Sequence, residues 1–467
     1  MYRVDRASEG VISIYRDRIL HGSIYRVLIW LGMPLLLVQL INISYNIADA
    51  YWLSQYSTVY LAVPRQVWPT FMFFQALAMA LSAANQSLIS QYIGAKMYDE
   101  AARVVRQYLT VSTSFGAILG ILYYLLRPLI FTSLTTVPQE IYDGVLDYSG
   151  IITIDLTASY FGLCFTTILQ SIGDTRRPAI INGISAVINI VLDPFMILGI
   201  GPFPRMGVRG AAIATVIARV LGGIILVYTV LKRFSFLRIS FTRDIDAFWV
   251  KSMIRIGLPI LLMNVLNSTA FMFQLRLINA FGVVASTAWG IGFTIIDIAD
   301  AIMWGLTQAT AIVVGQCLGA QEISRAKQAA RASNYIVGLS LMAGAVLAYM
   351  IRGNIISLFL SNDDSLSISI YAETEKFLMW ALGTLPFFGL FFVGMSVGRG
   401  SGHTFYPTVI GIVRLWTIRI ALGYMLSLYI GSTGVWMAFG LSNIFSGVAS
   451  LIWVNKGGWA KPVIRRR

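Results

Sequence analysis

Charge is scarce in this chain. Asp, Glu, Lys and Arg make up 12% of its 467 residues, about half of what soluble domains carry, while 57% are hydrophobic. Lipid, not water, is therefore the expected solvent for most of the surface. Cysteine is reduced to Cys164 and Cys317, both in apolar stretches, which excludes a disulfide framework. Histidine also occurs only twice, so no spaced Cys/His set exists on which metalloenzyme chemistry could rest. Gly-rich phosphate loops are missing, which removes an ATP-driven pump carried on this chain. No nucleophile, base and orienting group fall at a recognisable spacing, so neither an enzyme nor a cofactor is expected. Regular period-2 alternation is absent too, which excludes a membrane barrel.

Long apolar runs are what the chain does have. A hydrocarbon core roughly 30 Å thick needs about 20 helical residues, and twelve such runs can be counted: 24–53, 60–91, 98–127, 139–172, 176–199, 207–232, 250–281, 284–316, 322–351, 367–400, 405–430 and 434–456. The expected fold is an all-α membrane protein of twelve transmembrane helices, because helices satisfy their own backbone polar groups in lipid. The net charge of +14 could suggest nucleic acid, but the basic residues sort by side. Sixteen lie in the tail before the first helix and its first turn (Arg3 to Arg26), in the 232–255 linker and from Lys456 onward. That asymmetry is the positive-inside pattern and places both termini in the cytoplasm of an inner or plasma membrane protein, with the bilayer and not nucleic acid as partner. Residues 1–22 have no apolar core leading to a cleavage site, so they are not expected to be a signal peptide.

The sequence also repeats itself. LGMPLLLVQL (31–40) resembles IGLPILLMNV (256–265), aligning Pro34 with Pro259 at an offset of 225, and SQYIGAK (90–96) matches GQCLGAQ (315–321) at the same offset. GDTRRP (173–178) pairs with GHTFYP (402–407), and GVRGAA (207–212) with GVWMAF (434–439), at offsets of 229 and 227. Six helices per copy is an even number, so the repeats are parallel, an architecture standard among secondary transporters. The expected divisions are a cytoplasmic segment 1–23, an N-lobe 24–235, a C-lobe 236–456 with its preceding linker, and a basic tail 457–467.

Charges at membrane depth cost about 2.5–3.5 kcal/mol each even on insertion scales, which makes each a candidate for function. There are nine: Asp49, Asp155, Asp193, Asp297, Asp300, Arg219, Arg276, Arg414 and Arg419. Asp49 and Asp193 fall at matching depths near the outer ends of helices 1 and 5. Asn42, Tyr45 and Asp49 share one helix face by their spacing, as do Asn189 and Asp193. Thr215 on helix 6 can add a hydroxyl. A desolvated carboxylic acid gives up its proton reluctantly, and a second carboxylate adds to that, so proton exchange near neutral pH is feasible. The same oxygens suit Na⁺ at Asp49, Asp193, Asn189 and Thr215, and sequence alone leaves both ions open. The repeat counterparts of the two acids are Gln274 and Leu422, which cannot ionise, so coupling is expected in the N-lobe. Asp155 with Arg219, and Asp297 and Asp300 with Arg419, stand at depths where they can neutralise one another. Such pairing and a C-lobe pathway both remain open.

The order of these motifs, and their duplication, resembles the multidrug and toxic compound extrusion (MATE) family, in particular the prokaryotic branch with acids in the N-lobe. The resemblance covers residues 24–456. It implies that Asp49 and Asp193 are the ion-coupling acids, with Tyr45 and Asn189 as polar neighbours, Pro34 as the point where helix 1 bends, and Tyr148 as a further member of the network. It implies a secondary active exporter of amphipathic, often cationic, small organic compounds, working by alternating access as an antiporter against H⁺ or Na⁺. A functional monomer is expected to suffice. The intramembrane arginines keep a second reading open, a flippase for lipids or lipid-linked sugars.

Overall fold

The structure is a computed structural model and describes residues 6–57, 60, 63–134, 137, 139–234, 237, 239–357 and 365–464. A short helix α1 (Arg6–His21) precedes a series of long ones: α2 (Ile24–Tyr56), α3 (Val63–Gly94), α4 (Tyr98–Leu129), α5 (Gln139–Ile172), α6 (Arg176–Leu198) and α7 (Val208–Arg233). The second half continues with α8 (Ala247–Asn279), α9 (Gly282–Gly319), α10 (Ile323–Met350), the short α11 (Arg352–Ser357), α12 (Ser365–Gly383) and α13 (Leu385–Ser401). It ends with α14 (Phe405–Ile412), a π-helical segment Val413–Leu422, α15 (Gly423–Ile430) and α16 (Ser432–Lys456). Among the described residues, eleven helices are long and apolar enough to cross a membrane, and α12 with α13, bent by 46°, supplies a twelfth as a broken span. The chain is an all-α, multi-pass membrane protein.

Many of the outward-facing side chains are large and apolar. On α4, Ile118, Ile121, Leu125 and Leu129 are exposed at helical spacing, a stripe that water would penalise and lipid accepts. The twelve expected spans correspond to these helices within a few residues. Three features escaped the hydropathy pattern. The amphipathic α1 is one: it buries Ile12 and Ile19 and ties Arg16 Nε to the Gly94 carbonyl at 3.0 Å. The break at Thr384 is another, set by Pro386 in the first turn of α13. The third is the π-helical run in the eleventh span, which widens the helix without changing its composition.

The chain divides into two compact units, one of Met1–Ile19 and Leu37–Leu261, the other of Leu20–Leu36 and Leu262–Arg467. In α2 and in α8 the division follows a proline inside the helix, Pro34 and Pro259, by two residues. The first unit has its core around Phe71, Tyr123, Tyr148, Leu156, Tyr160 and Ile197. The second has an aromatic core of Trp289, Phe377, Trp436 and Phe439, in which Trp436 Nε1 donates to Glu373 Oε1 at 2.7 Å.

Backbone geometry repeats with the sequence. Lys96 (φ 61°) and Gln321 (φ 65°) are the non-glycine residues with positive φ among those described, 225 residues apart in the two G-A-K/Q turns. Gly173 and Gly402 share positive φ at the offset of 229. At the start of α7 and α16 the structure corrects the expected pairing of Gly207 with Gly434. Gly207 (φ 56°, ψ −127°) caps α7 as Gly431 (φ 64°, ψ −146°) caps α16. Gly210 then matches Gly434: a Cβ at either would strike backbone of the preceding helix, Met196 O at 2.2 Å or Leu426 C at 2.5 Å. The true equivalence is G-V-R-G with G-S-T-G. The alanines that followed each motif misled the alignment.

Candidate functional site

Within the first unit, α2, α3, α5, α6 and α7 line a partly open cavity of about 780 Å³. Its wall includes Asn42 and Tyr45 from α2, Asp155, Ser159 and Phe161 from α5, Asn182, Ser185 and Asn189 from α6, and Thr215 and Arg219 from α7. Along α7 the lining runs from Thr215 to Leu231, about 24 Å at 1.5 Å per residue. Such a volume lies within the roughly 300–1,000 Å³ of pockets that enclose drug-sized molecules.

Five of the expected site residues come together at one end. Tyr45 Oη and Thr215 Oγ1 are 3.1 Å apart, and Thr215 Oγ1 also donates to the Ala211 carbonyl at 3.0 Å. With its amide turned to satisfy both neighbours, Asn189 donates from Nδ2 to Asp193 Oδ2 at 3.1 Å and accepts from the Thr215 N–H at 3.1 Å. Asp193 is fully buried. Asp49 acts electrostatically on Asp193, Tyr45 and Tyr148, so the two acids and two tyrosines occupy one neighbourhood, which Tyr45 joins to the cavity wall. Asp49 Oδ1 is buried and has no hydrogen-bond partner among the described residues. Helix geometry explains the gathering, since residues 42, 45 and 49, and likewise 189 and 193, stack on single faces. Asn42 lies on the wall and donates to Gln39 Oε1 at 3.3 Å. Pro34 sits in the same helix as Asp49, within the second compact unit.

Asp155 and Arg219 form the expected ion pair, Nη1 to Oδ2 at 2.9 Å. The C-lobe charges are arranged otherwise than by simple pairing. Arg419 donates from Nε to Ser442 Oγ at 3.0 Å and from Nη2 to Asn443 Oδ1 at 2.9 Å, and it stacks on Phe439. Arg414 shares Asn443 Oδ1 at 3.4 Å and faces the rings of Phe388 and Phe391. Asp300 lies within electrostatic range of both arginines, whereas the side chain of Asp297 falls outside the described residues. Gln274, the counterpart of Asp49, is buried in the second unit, with Nε2 lacking a partner among the described residues. Arg276 is exposed in the last turn of α8.

Sequence reasoning missed several members. Gln75 Oε1 accepts from Ser159 Oγ at 3.0 Å at the cavity wall, and Asn443 serves as the shared acceptor of two arginines. Neutral side chains give no signal in a search for intramembrane charge; only their position opposite a charged helix would have drawn attention. Arg399 was overlooked because it lies near the end of its span, and there it faces the Trp304 ring. Among the described residues no group of three or more His, Cys, Asp or Glu could hold a metal ion.

Comparison with known proteins follows the same outline. The MatE family model matches residues 34–195 and 259–425, one copy in each half. The probable multidrug resistance protein YoeA of Bacillus subtilis is 27% identical over 92% of this chain and 95% of its own length. The FAD transporter of Shewanella oneidensis is also 27% identical, over 93% and 95%. Among solved structures, the Vibrio cholerae MATE transporter VcmN in its bent form superposes with a TM-score of 0.85 at 22% identity, covering 93% of this chain and 97% of its own. An outward-facing multidrug resistance MATE transporter of the MOP superfamily gives 0.85 at 21% identity, covering 97% and 98%. At these identities the structural likenesses speak for the fold.

Proposed function

Since the chain belongs to the MatE family, and is a transporter rather than an enzyme, we propose that it exports amphipathic organic compounds, cationic ones included, in exchange for H⁺ or Na⁺. The observation that carries the coupling is the buried Asp49 Oδ1, without a hydrogen-bond partner among the described residues, near a second acid, Asp193, inside the membrane-spanning region. A carboxylate so placed is costly when ionised and alone; a proton or a small cation removes the cost. The oxygens of Asp49, Asp193, Asn189 and Thr215 form a hard donor set suited to Na⁺, and the same two acids suit protons.

Alternating access turns occupancy of this site into transport. Substrate enters the cavity from the cytoplasmic side, the lobes 24–235 and 236–456 rock, and ion entry from outside favours release. Two things support the rocking. Solved relatives include a bent and an outward-facing form, and α2 and α8 each pass between compact units just beyond a proline. Proline leaves the carbonyl four residues earlier without its helical donor, which lowers the cost of bending there. One proton exchanged down one pH unit supplies about 1.4 kcal/mol, a tenfold accumulation, and 100 mV adds about 2.3 kcal/mol per net charge moved. The distribution of its basic residues supports a cytoplasmic position for both termini, in a cell-membrane protein. A monomer contains the whole of this site.

Lipid flipping is less favoured, because Arg414 and Arg419 are engaged by Asn443, Ser442 and aromatic rings. The test is uptake of a fluorescent cationic dye into inverted vesicles under imposed H⁺ or Na⁺ gradients, beside a fluorescent-lipid flipping assay. Saturable uptake driven by one gradient supports export. Indifference to the dye under every gradient, with lipid flipping present, refutes it.

A further inference from the structure

Asp155 and Arg219 are not hidden equally. The Asp155 side chain is 2% exposed and that of Arg219 42%, although the two share a 2.9 Å ion pair. A pair that only neutralised charge inside the lobe would have reason to bury both members. Here α5 keeps the carboxylate almost wholly covered within the wall, while α7 brings the guanidinium to the cavity surface, one turn (about 6 Å) beyond Thr215. Arg219 is the one Lys or Arg among the described lining residues. Guanidinium carries five N–H donors in a planar fork, and its described hydrogen bond uses one, Nη1 to Asp155 Oδ2. The surrounding wall is largely apolar, with Phe161, Leu163, Ile224 and Val227.

We propose that Arg219 is the receptor for a carboxylate of the transported compound, so that the cavity selects aromatic amphiphiles bearing a carboxylate, zwitterions among them. This inference rests on the export reading above and names the substrate class of its cavity. The fork offers paired donors to a planar carboxylate, the geometry in which arginine binds most strongly. Asp155 already offsets part of the charge, which suits a monoanion better than a phosphate dianion. Asp155 itself is too deeply buried to meet a substrate cation and acts as the positioning residue that aims Arg219.

The experiment uses the full-length protein in proteoliposomes with a zwitterionic fluorescent fluoroquinolone and its methyl ester, which differ only in the carboxylate. The quantity read is the acid-over-ester ratio of kcat/KM. Wild type should favour the acid. Arg219→Gln should lower the ratio roughly tenfold or more, chiefly through the KM of the acid, as expected for loss of a charge-assisted contact. Asp155→Asn should raise the ratio, because the guanidinium is then no longer offset. A purely structural pair predicts the same direction for both substitutions, and that result, or an unchanged ratio in Arg219→Gln, overturns the proposal. If Arg219→Gln does not reach the membrane, Arg219→Lys and Asp155→Asn are compared by the same ratio, with the first expected to fall and the second to rise. Preference of the wild type for the ester, or gradient-driven uptake of the cationic dye with neither compound carried, refutes this inference alone; failure to take up the dye as well refutes the export reading beneath it.

Discussion

Filling the cavity without disturbing the fold tests whether the space between α5, α6 and α7 is where substrate resides. Gly223 and Gly162 both line it, and a Cβ built at either meets nothing within 4 Å. Gly223→Leu therefore adds a side chain to open space and avoids the overpacking cost of about 1–3 kcal/mol that filled cores exact. Stability should change by less than about 0.5 kcal/mol, the range of substitutions that touch nothing critical. Gly210→Ala is the contrast. Its Cβ falls 2.2 Å from Met196 O and 2.5 Å from Met196 C, backbone atoms that move only if the helix moves. That variant should lose about 1–3 kcal/mol and several degrees in unfolding temperature, scaled from about 2–4 °C per kcal/mol in smaller domains. For transport, the leucine overlaps volume that a drug-sized substrate would occupy. An overlap of about 1–3 kcal/mol corresponds to a rise in KM of about 5- to 150-fold. Thermal unfolding followed by detergent size-exclusion chromatography, paired with vesicle uptake kinetics, measures both. A Gly223→Leu protein as unstable as Gly210→Ala, or one with unchanged KM for every transported compound, would refute the assignment of this space.

Three further outcomes follow from single contacts. Tyr45→Phe and Thr215→Val break the same 3.1 Å contact, so in a double-mutant cycle on gradient-driven uptake their effects should fall short of additivity by about 0.5–1.5 kcal/mol; strict additivity would count against a shared role. Asn443→Leu removes the one acceptor shared by Arg414 and Arg419 and should cost at least about 1–3 kcal/mol in thermal stability, while Asn443→Asp keeps an acceptor and should cost less. Cys164 and Cys317 are both fully buried, so a maleimide should label neither in the folded protein and both after denaturation in SDS, as counted by mass spectrometry.

Much of this arrangement was legible because membrane helices announce themselves twice, by length and by the cost of any charge within them. Asp49 and Asp193 stood out for the second reason, and helical spacing alone was enough to bring Tyr45 and Asn189 beside them. Equal depth allowed the pairing of Asp155 with Arg219 without deciding it. What composition does not encode is the shape of the backbone inside an apolar run. The π-helical turn carrying Arg414 and Arg419 looks, as a string of residues, like any other span, and so their contacts with Asn443 and Ser442 could not be read from spacing. The mispairing of Gly207 with Gly434 has a related cause. Alignment rewards shared neighbours, whereas the structure requires a positive φ at one glycine and a missing Cβ at the next, a demand met by Gly431 and Gly434 together. Unequal exposure within an ion pair is likewise a property of packing, invisible until both helices are placed.

The central claim is that Asp49 and Asp193 couple ion movement to substrate export. Gradient-driven accumulation and gradient-free counterflow, measured side by side in proteoliposomes for wild type, Asp49→Asn and Asp193→Asn, test it most directly. If the two acids carry the ion, both variants lose accumulation under H⁺ and Na⁺ gradients while labelled substrate still exchanges for unlabelled substrate. Accumulation at the wild-type level in both variants would contradict the account and place coupling elsewhere in the protein.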